Sequence, residues 1–203
     1  MSYGTKLDNG SLKGSEFAPS LTQPYLGPAK LVSGGPAQIG KDTKYDVIRF
    51  TFLALGDGAK GLQYEEVIFE PDSGDDERID KMRSRVAYIL QYFTGEEMAL
   101  AAVNAATSFE ELATNVQKAL DRAKDTWTEK IVTIKVLGSV YQTKARLGFP
   151  GYKGFIADEE SASPLVWSRR ELTDNATYKA AIEAPATAEE EVEGSPVSDA
   201  NTF

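Results

Sequence analysis

The chain has no cysteine and no histidine. Without cysteine there is neither a disulfide framework nor thiolate chemistry, and an intracellular, cytoplasmic setting is the expectation. Without histidine the commonest general base and the commonest transition-metal ligand are both missing, so neither a zinc site nor histidine-based catalysis is expected. Long apolar runs are also absent: none approaches the roughly 18 residues that would suggest a membrane span. Residues 1–14 lack the apolar core of a signal peptide, so no membrane association is expected. A fourth absence is local. From Lys130 to Ala157 there is not one Asp or Glu, in a chain that carries 31 acids against 22 bases and a net charge of −9.

That acid-free stretch holds five cations, Lys130, Lys135, Lys144, Arg146 and Lys153, interleaved with Tyr141, Phe149, Tyr152 and Phe155. The acidity lies elsewhere: residues 171–203 contain eight acids against the single base Lys179 and end in Phe203. Net charge averages over regions that need not share a surface, so the negative total does not exclude a polyanionic partner.

The 203 residues suit one domain with arms. Residues 1–28, rich in Gly, Ser and Pro and without a sustained period, read as an extended arm. A short strand is expected over Ala29–Val32, then a turn at Ser33-Gly34-Gly35-Pro36. A stronger strand follows at Tyr45–Leu53, with Ile48, Phe50 and Phe52 on one face. The turn Gly56–Gly61 leads to a returning strand, Leu62–Glu70, whose buried side is expected to carry Val67 and Phe69. The acidic cluster Asp72, Asp75, Asp76, Glu77 and Asp80 precedes an amphipathic helix with the stripe Ile79, Met82, Val86, Ile89, Leu90 and Phe93. Capping-box spacings at Thr94–Glu97 and Ser108–Glu111 place two more helix starts, the second with Phe109, Leu112, Val116, Leu120 and Ala123 inward. Strands resume at Lys130–Leu137 and Lys144–Phe149, and Pro150–Gly154 forces a bend. The fold class expected is α+β, mainly β: an OB-like antiparallel barrel of about five strands with helices inserted between strands 3 and 4. The domain is placed at 29–157, and 158–203 is read as a polar, acidic, largely disordered tail.

The acid-free strand pair is the sharpest chemical feature. Single-stranded nucleic acid is held by cations that track phosphates and by aromatic faces on which bases stack. Lys135, Lys144 and Arg146, with Arg49 from the earlier strand, are read as phosphate contacts; Lys130 and Lys153 join them, and Tyr141 and Tyr152 are the stacking candidates. The competing reading is a solvated sheet face over an aromatic core. Leu165–Arg170, an apolar and basic island, either docks the start of the tail or contacts the ligand. The acids at 72–80 fit helix-start chemistry better than a cation site, since they lack EF-hand spacing. A metal-dependent nuclease built on that cluster is the third and weakest reading, and no other catalytic constellation is found. Glu65 and Glu66 alternate across a strand, Gly56–Gly61 lacks the Gly-Lys-Ser/Thr ending of a phosphate loop, and a serine nucleophile would have only lysine as its base. No enzyme activity, cofactor or metal is expected.

The Gly-rich arm, the run Lys144-Ala145-Arg146-Leu147-Gly148-Phe149 to Gly151-Tyr152-Lys153-Gly154-Phe155, and an acidic tail terminating in Phe203 together resemble the single-stranded DNA-binding proteins encoded by tailed phages. The chain departs from that pattern in its long helical insertion and in tail acids set back from the tip. The resemblance implies a non-enzymatic protein of the host cytoplasm that coats single-stranded DNA in replication or recombination with little base preference. It also implies recruitment of replication or recombination proteins through the tail and Phe203, and it leaves room for a homo-oligomer. The alternative is a virion or scaffold component that uses sheet and arm for self-association.

Overall fold

The computed structural model describes residues 19–184 apart from Asp42, Ser73 and Gln142. Their elements are β1 (Tyr25–Ile39), β2 (Tyr45–Ala54), β3 (Gln63–Phe69), α1 (Asp76–Thr94), α2 (Glu96–Asn104), α3 (Phe109–Arg122), α4 (Lys124–Trp127), β4 (Ile131–Tyr141), β5 (Lys144–Gly148), β6 (Ile156–Ala157) and α5 (Arg169–Glu183). The strands form one antiparallel six-stranded sheet in the order β3-β2-β1-β4-β5, with β6 beside β4. The protein is α+β, the sheet is not closed, and α1 to α4 fall between β3 and β4 as the sequence implied. Among the described residues helical positions outnumber strand positions, so the mainly-β expectation is corrected; α5, in the stretch read as tail, tips the balance. Among the described residues no helix is long and apolar enough to cross a membrane.

β1 runs straight through the expected Ser33–Pro36 turn. Its first part pairs with β4 (Tyr25 opposite Val136, Lys30 opposite Ile131), and it pairs with β2 from Ala29 to Ile39 around an extra residue at Val32. The glycines serve a close approach: a Cβ on Gly34 would stand 2.6 Å from Leu120 Cδ1 and 2.9 Å from Phe50 Cδ1, and one on Gly35 3.0 Å from Gln117 Cβ. α3 therefore seats its apolar face, Leu112, Val116 and Leu120, directly on β1. The domain also begins earlier than residue 29. Leu21 is buried, and Pro19–Leu21 lies along the start of β3, where Gln63 N–H donates to Pro19 O at 2.8 Å. The remaining arm residues 1–18 lie outside the described residues.

The β2–β3 hairpin forms as expected, but β3 buries the other face. Register sets Phe52 opposite Tyr64, Phe50 opposite Glu66 and Ile48 opposite Ile68. Because cross-strand partners share a face, Tyr64, Glu66 and Ile68 turn inward and Phe69 is exposed. Glu66 tolerates burial because Arg85 Nε donates to it at 2.7 Å and the Tyr64 hydroxyl donates to it as well.

The same groups span the gap between the sheet edges. Phe149 N–H donates to Tyr64 Oη at 2.9 Å, and Arg85 reaches Pro150 O at 2.9 Å and Phe149 O at 3.1 Å. Burial, then the Glu66 charge and hydrogen bond, pushes the Tyr64 hydroxyl pKa well above its ordinary value. Around these atoms Phe52, Tyr64, Phe149 and Phe155 form one aromatic cluster, with Phe93 of α1 against Phe52.

Helix starts follow local chemistry in part. Asp75 caps α1, accepting from Arg78 N–H at 3.0 Å. Ser108 caps α3, while the Glu111 carboxylate reaches back to accept from the Thr107 N–H and hydroxyl. The Thr94–Glu97 spacing produces no side-chain cap, because Gly95 takes the cap position at φ 83°.

Candidate nucleic-acid interface

The acid-free stretch becomes a hairpin, a loop and a short returning strand. Ser139 faces Arg146 and Tyr141 faces Lys144 across β4 and β5. Alternation along β4 turns Val132, Ile134 and Val136 inward, which sends Lys135, Leu137, Ser139 and Tyr141 to the outer face, and register adds Arg146 and Lys144 to it. β6 continues the line of β5 along β4, since Gly148 is opposite Leu137 and Ile156 opposite Ile134. Residues 149–155 are thus an excursion from one strand edge, with exposed Tyr152 and Lys153 on it.

Charge then divides the named cations. Lys144, Arg146 and Lys153 are exposed and, among the described residues, their side chains have no carboxylate or hydrogen-bond partner. Tyr141, opposite Lys144, is 62 % exposed. Lys153 and Tyr152 also line a groove of about 620 Å³ walled by Val67 and Phe69 of β3 and by Met82 and Tyr88 of α1.

Lys135 is not a free phosphate contact, contrary to its sequence reading. It lies on the outer face as expected but is only 5 % exposed, because α5 covers it. Its Nζ stands 3.0 Å from Glu171 Oε1 and 2.7 Å from Val166 O, with the Trp167 ring centre at 5.8 Å. Lys130 is likewise engaged, at 2.9 Å from Asp158 Oδ2. Burial works to raise the Asp158 pKa, but hydrogen bonds from Lys130 and Ser161 outweigh it and hold the carboxyl below its ordinary value. Arg49 sits 3.4 Å from Glu65, in a half-exposed pair. It is opposite Gly35, whereas β4 meets that strand at Tyr25–Lys30. Arg49 is therefore paired near the far end of β1, roughly 40 Å along the strands from the hairpin cations.

The tail reading of 158–203 is corrected over its first part. α5 is a structural element docked on β4 and β5. Ser168 and Glu171 form a reciprocal capping box. Glu171, 3 % exposed, also accepts from Lys135 and from the Tyr152 hydroxyl. Asn175 Oδ1 accepts the Gly138 N–H at 2.9 Å, where β4 has run past the end of β1. Tyr178 packs on Gly138, leaving no room for a Cβ there, and its hydroxyl donates to Thr22 O at 3.1 Å. Burial acts to raise the Glu171 pKa, yet the hydrogen bonds from Tyr152, Ser168 and Lys135 overcome it and hold the carboxyl at about 2. The Tyr152 hydroxyl is pushed up to about 12, by burial first and then by Glu171. Its ring remains available, since the residue is 52 % exposed.

Residues 185–203, Phe203 among them, lie outside the described residues. The island Leu165–Arg170 docks the helix through Val166 O and Trp167, and it leaves Arg169 and Arg170 exposed next to Glu171, at the end of α5 that meets Lys135 and Tyr152. These two arginines were not singled out as contacts from sequence. Their signal was the basic end of that island.

Comparison of the chain with protein-family models, with curated proteins and with solved structures found no match.

Proposed function

We propose that this protein binds single-stranded DNA without sequence preference, as phage-encoded single-stranded DNA-binding proteins do in replication or recombination, and that it is not an enzyme. The observation that carries the reading is the outer face of the β4–β5 hairpin. There Lys144 and Arg146 have no acid partner among the described residues, and Tyr141 presents its ring beside them. Unpaired cations next to an exposed aromatic are the two components that single strands require. Tyr152 and Lys153 extend the surface along the 149–155 excursion.

The strand order supports the same reading. β3-β2-β1-β4-β5 with helices between β3 and β4 is the order of an OB-like barrel, and the gap between β3 and β5 is spanned by Tyr64, Glu66 and Arg85 instead of a backbone ladder. Such barrels bind oligonucleotides on the surface that the β4–β5 hairpin would border. Replication or recombination proteins are the proposed partners of the acidic segment beyond α5.

Fluorescence anisotropy with a labelled oligo-dT tests the proposal. The full chain and a version ending at Ala184 are both titrated; truncation at 171 would remove Glu171 and strand Lys135. Binding that weakens with salt, with a slope of at least about −2 for the three free cations Lys144, Arg146 and Lys153, is expected. Absence of binding by both versions in low salt would refute it.

A further inference from the structure

We infer that Arg169 and Arg170 belong to the same polyanion-binding surface as Lys144, Arg146 and Lys153 and contact the phosphates of the bound strand. This rests on the single-stranded DNA reading above. Both arginines are exposed, and neither has a carboxylate partner among the described residues. Their position is fixed from below. Glu171, the next residue, is clamped by Lys135, Tyr152 and Ser168, and α5 packs along β4 and β5. The clamp holds Arg170 close to the half-exposed ring of Tyr152, where its charge favours ionisation of the hydroxyl against burial, Glu171 and Asp174.

The placement also runs against local helix chemistry. The first turn of a helix favours acids and disfavours cations, and here its one acid is consumed in the clamp while two arginines occupy the first two positions. A residue choice that opposes local stability, on a rigid support that also holds Tyr152 next to the unpaired Lys153, fits a binding role. Glu171 is then a positioning residue: it touches no DNA but sets where Arg169, Arg170 and Tyr152 stand.

The test compares R169A/R170A, R169K/R170K, R169E/R170E and K144A/R146A with the full chain, by oligo-dT anisotropy across a salt series and by thermal unfolding. Losing two phosphate contacts reduces the salt slope by about 1.4, so the affinity lost between about 50 and 200 mM salt shrinks roughly sevenfold. R169A/R170A is expected to show that reduction with a thermal midpoint no lower than wild type, and R169K/R170K to keep the wild-type slope. R169E/R170E, which suits the helix terminus better, is expected to bind more weakly than the alanine variant while melting no earlier than wild type. If wild type binds, K144A/R146A loses slope and R169A/R170A does not, the inference is wrong and the function stands. If neither wild type nor the version ending at Ala184 binds at low salt, the function itself fails and the inference with it.

Discussion

Replacing Glu171 by Gln leaves one acceptor oxygen where the Ser168 N–H and the Tyr152 hydroxyl each had their own, and it removes the charge opposite Lys135. The lysine is 5 % exposed and would retain only Val166 O, the amide oxygen and the Trp167 ring as neighbours. Breaking a buried ion pair from one side costs about 3–5 kcal/mol, because the remaining charge is left uncompensated; the surviving amide acceptor places E171Q near the lower end, at about 3. K135M should cost a similar amount by isolating Glu171. The pair K135M/E171L, which restores packing without charge, is expected to be less destabilised than the sum of its singles by at least about 2 kcal/mol. Urea unfolding followed by circular dichroism measures the cycle. Hydrogen exchange at Gly138 measures local release of α5, since that amide donates to Asn175 Oδ1. A local loss of about 3 kcal/mol speeds its exchange about 100-fold. An E171Q variant within about 0.5 kcal/mol of wild type, or single effects that simply add, would show that the clamp does not hold the helix.

Acid should act on the same carboxylate. Glu171 falls from an ordinary 4.5 to about 2 in the folded protein, so its stabilisation is complete above the unfolded pKa and is lost as pH falls from about 4.5 towards 2. That loss is on the order of 1–3 kcal/mol once solvent screening is allowed for; in E171Q this part of the acid dependence is expected to vanish, as read from denaturant unfolding at successive pH values. Tyr64→Phe leaves the Phe149 N–H without its acceptor and Glu66 without one of its donors, and a loss of about 1–3 kcal/mol is expected by urea unfolding. Gly34→Ala drives a methyl group into Leu120 and Phe50, for about 1–3 kcal/mol of overpacking strain, visible as a lowered thermal midpoint.

The strands and helices that announce themselves by apolar periodicity were readable, and those held by distant polar partners were not. Ile48, Phe50 and Phe52 in β2, and the faces of α1 and α3, required only local spacing. The inward face of β3 was misjudged because it carries Glu66, whose burial makes sense only once Arg85, on another element, is beside it. Ser33-Gly34-Gly35-Pro36 has the composition of a turn, but the glycines admit α3 against a continuous strand, and nothing local states where Leu120 will lie. α5 has no apolar stripe; it buries Glu171, Asn175 and Tyr178, each satisfied from β4 or from the chain before β1. Its one local signal was the Ser168–Glu171 capping pattern, of the kind recognised at Ser108. The candidate surface was legible as charge segregation, since the missing acids in 130–157 did mark free cations. Which of them are free depends on Asp158 and Glu171, and both lie outside that window.

The central claim is that unpaired cations on the β4–β5 hairpin hold a single strand. Oligo-dT anisotropy over a salt series, with wild type and K144A/R146A side by side, tests it most directly. A steep wild-type salt slope that becomes shallower by about 1.4 in the variant, with an unchanged thermal midpoint, is the predicted result. Equal slopes in the two proteins, or no binding at low salt by wild type and by the version ending at Ala184, would contradict it.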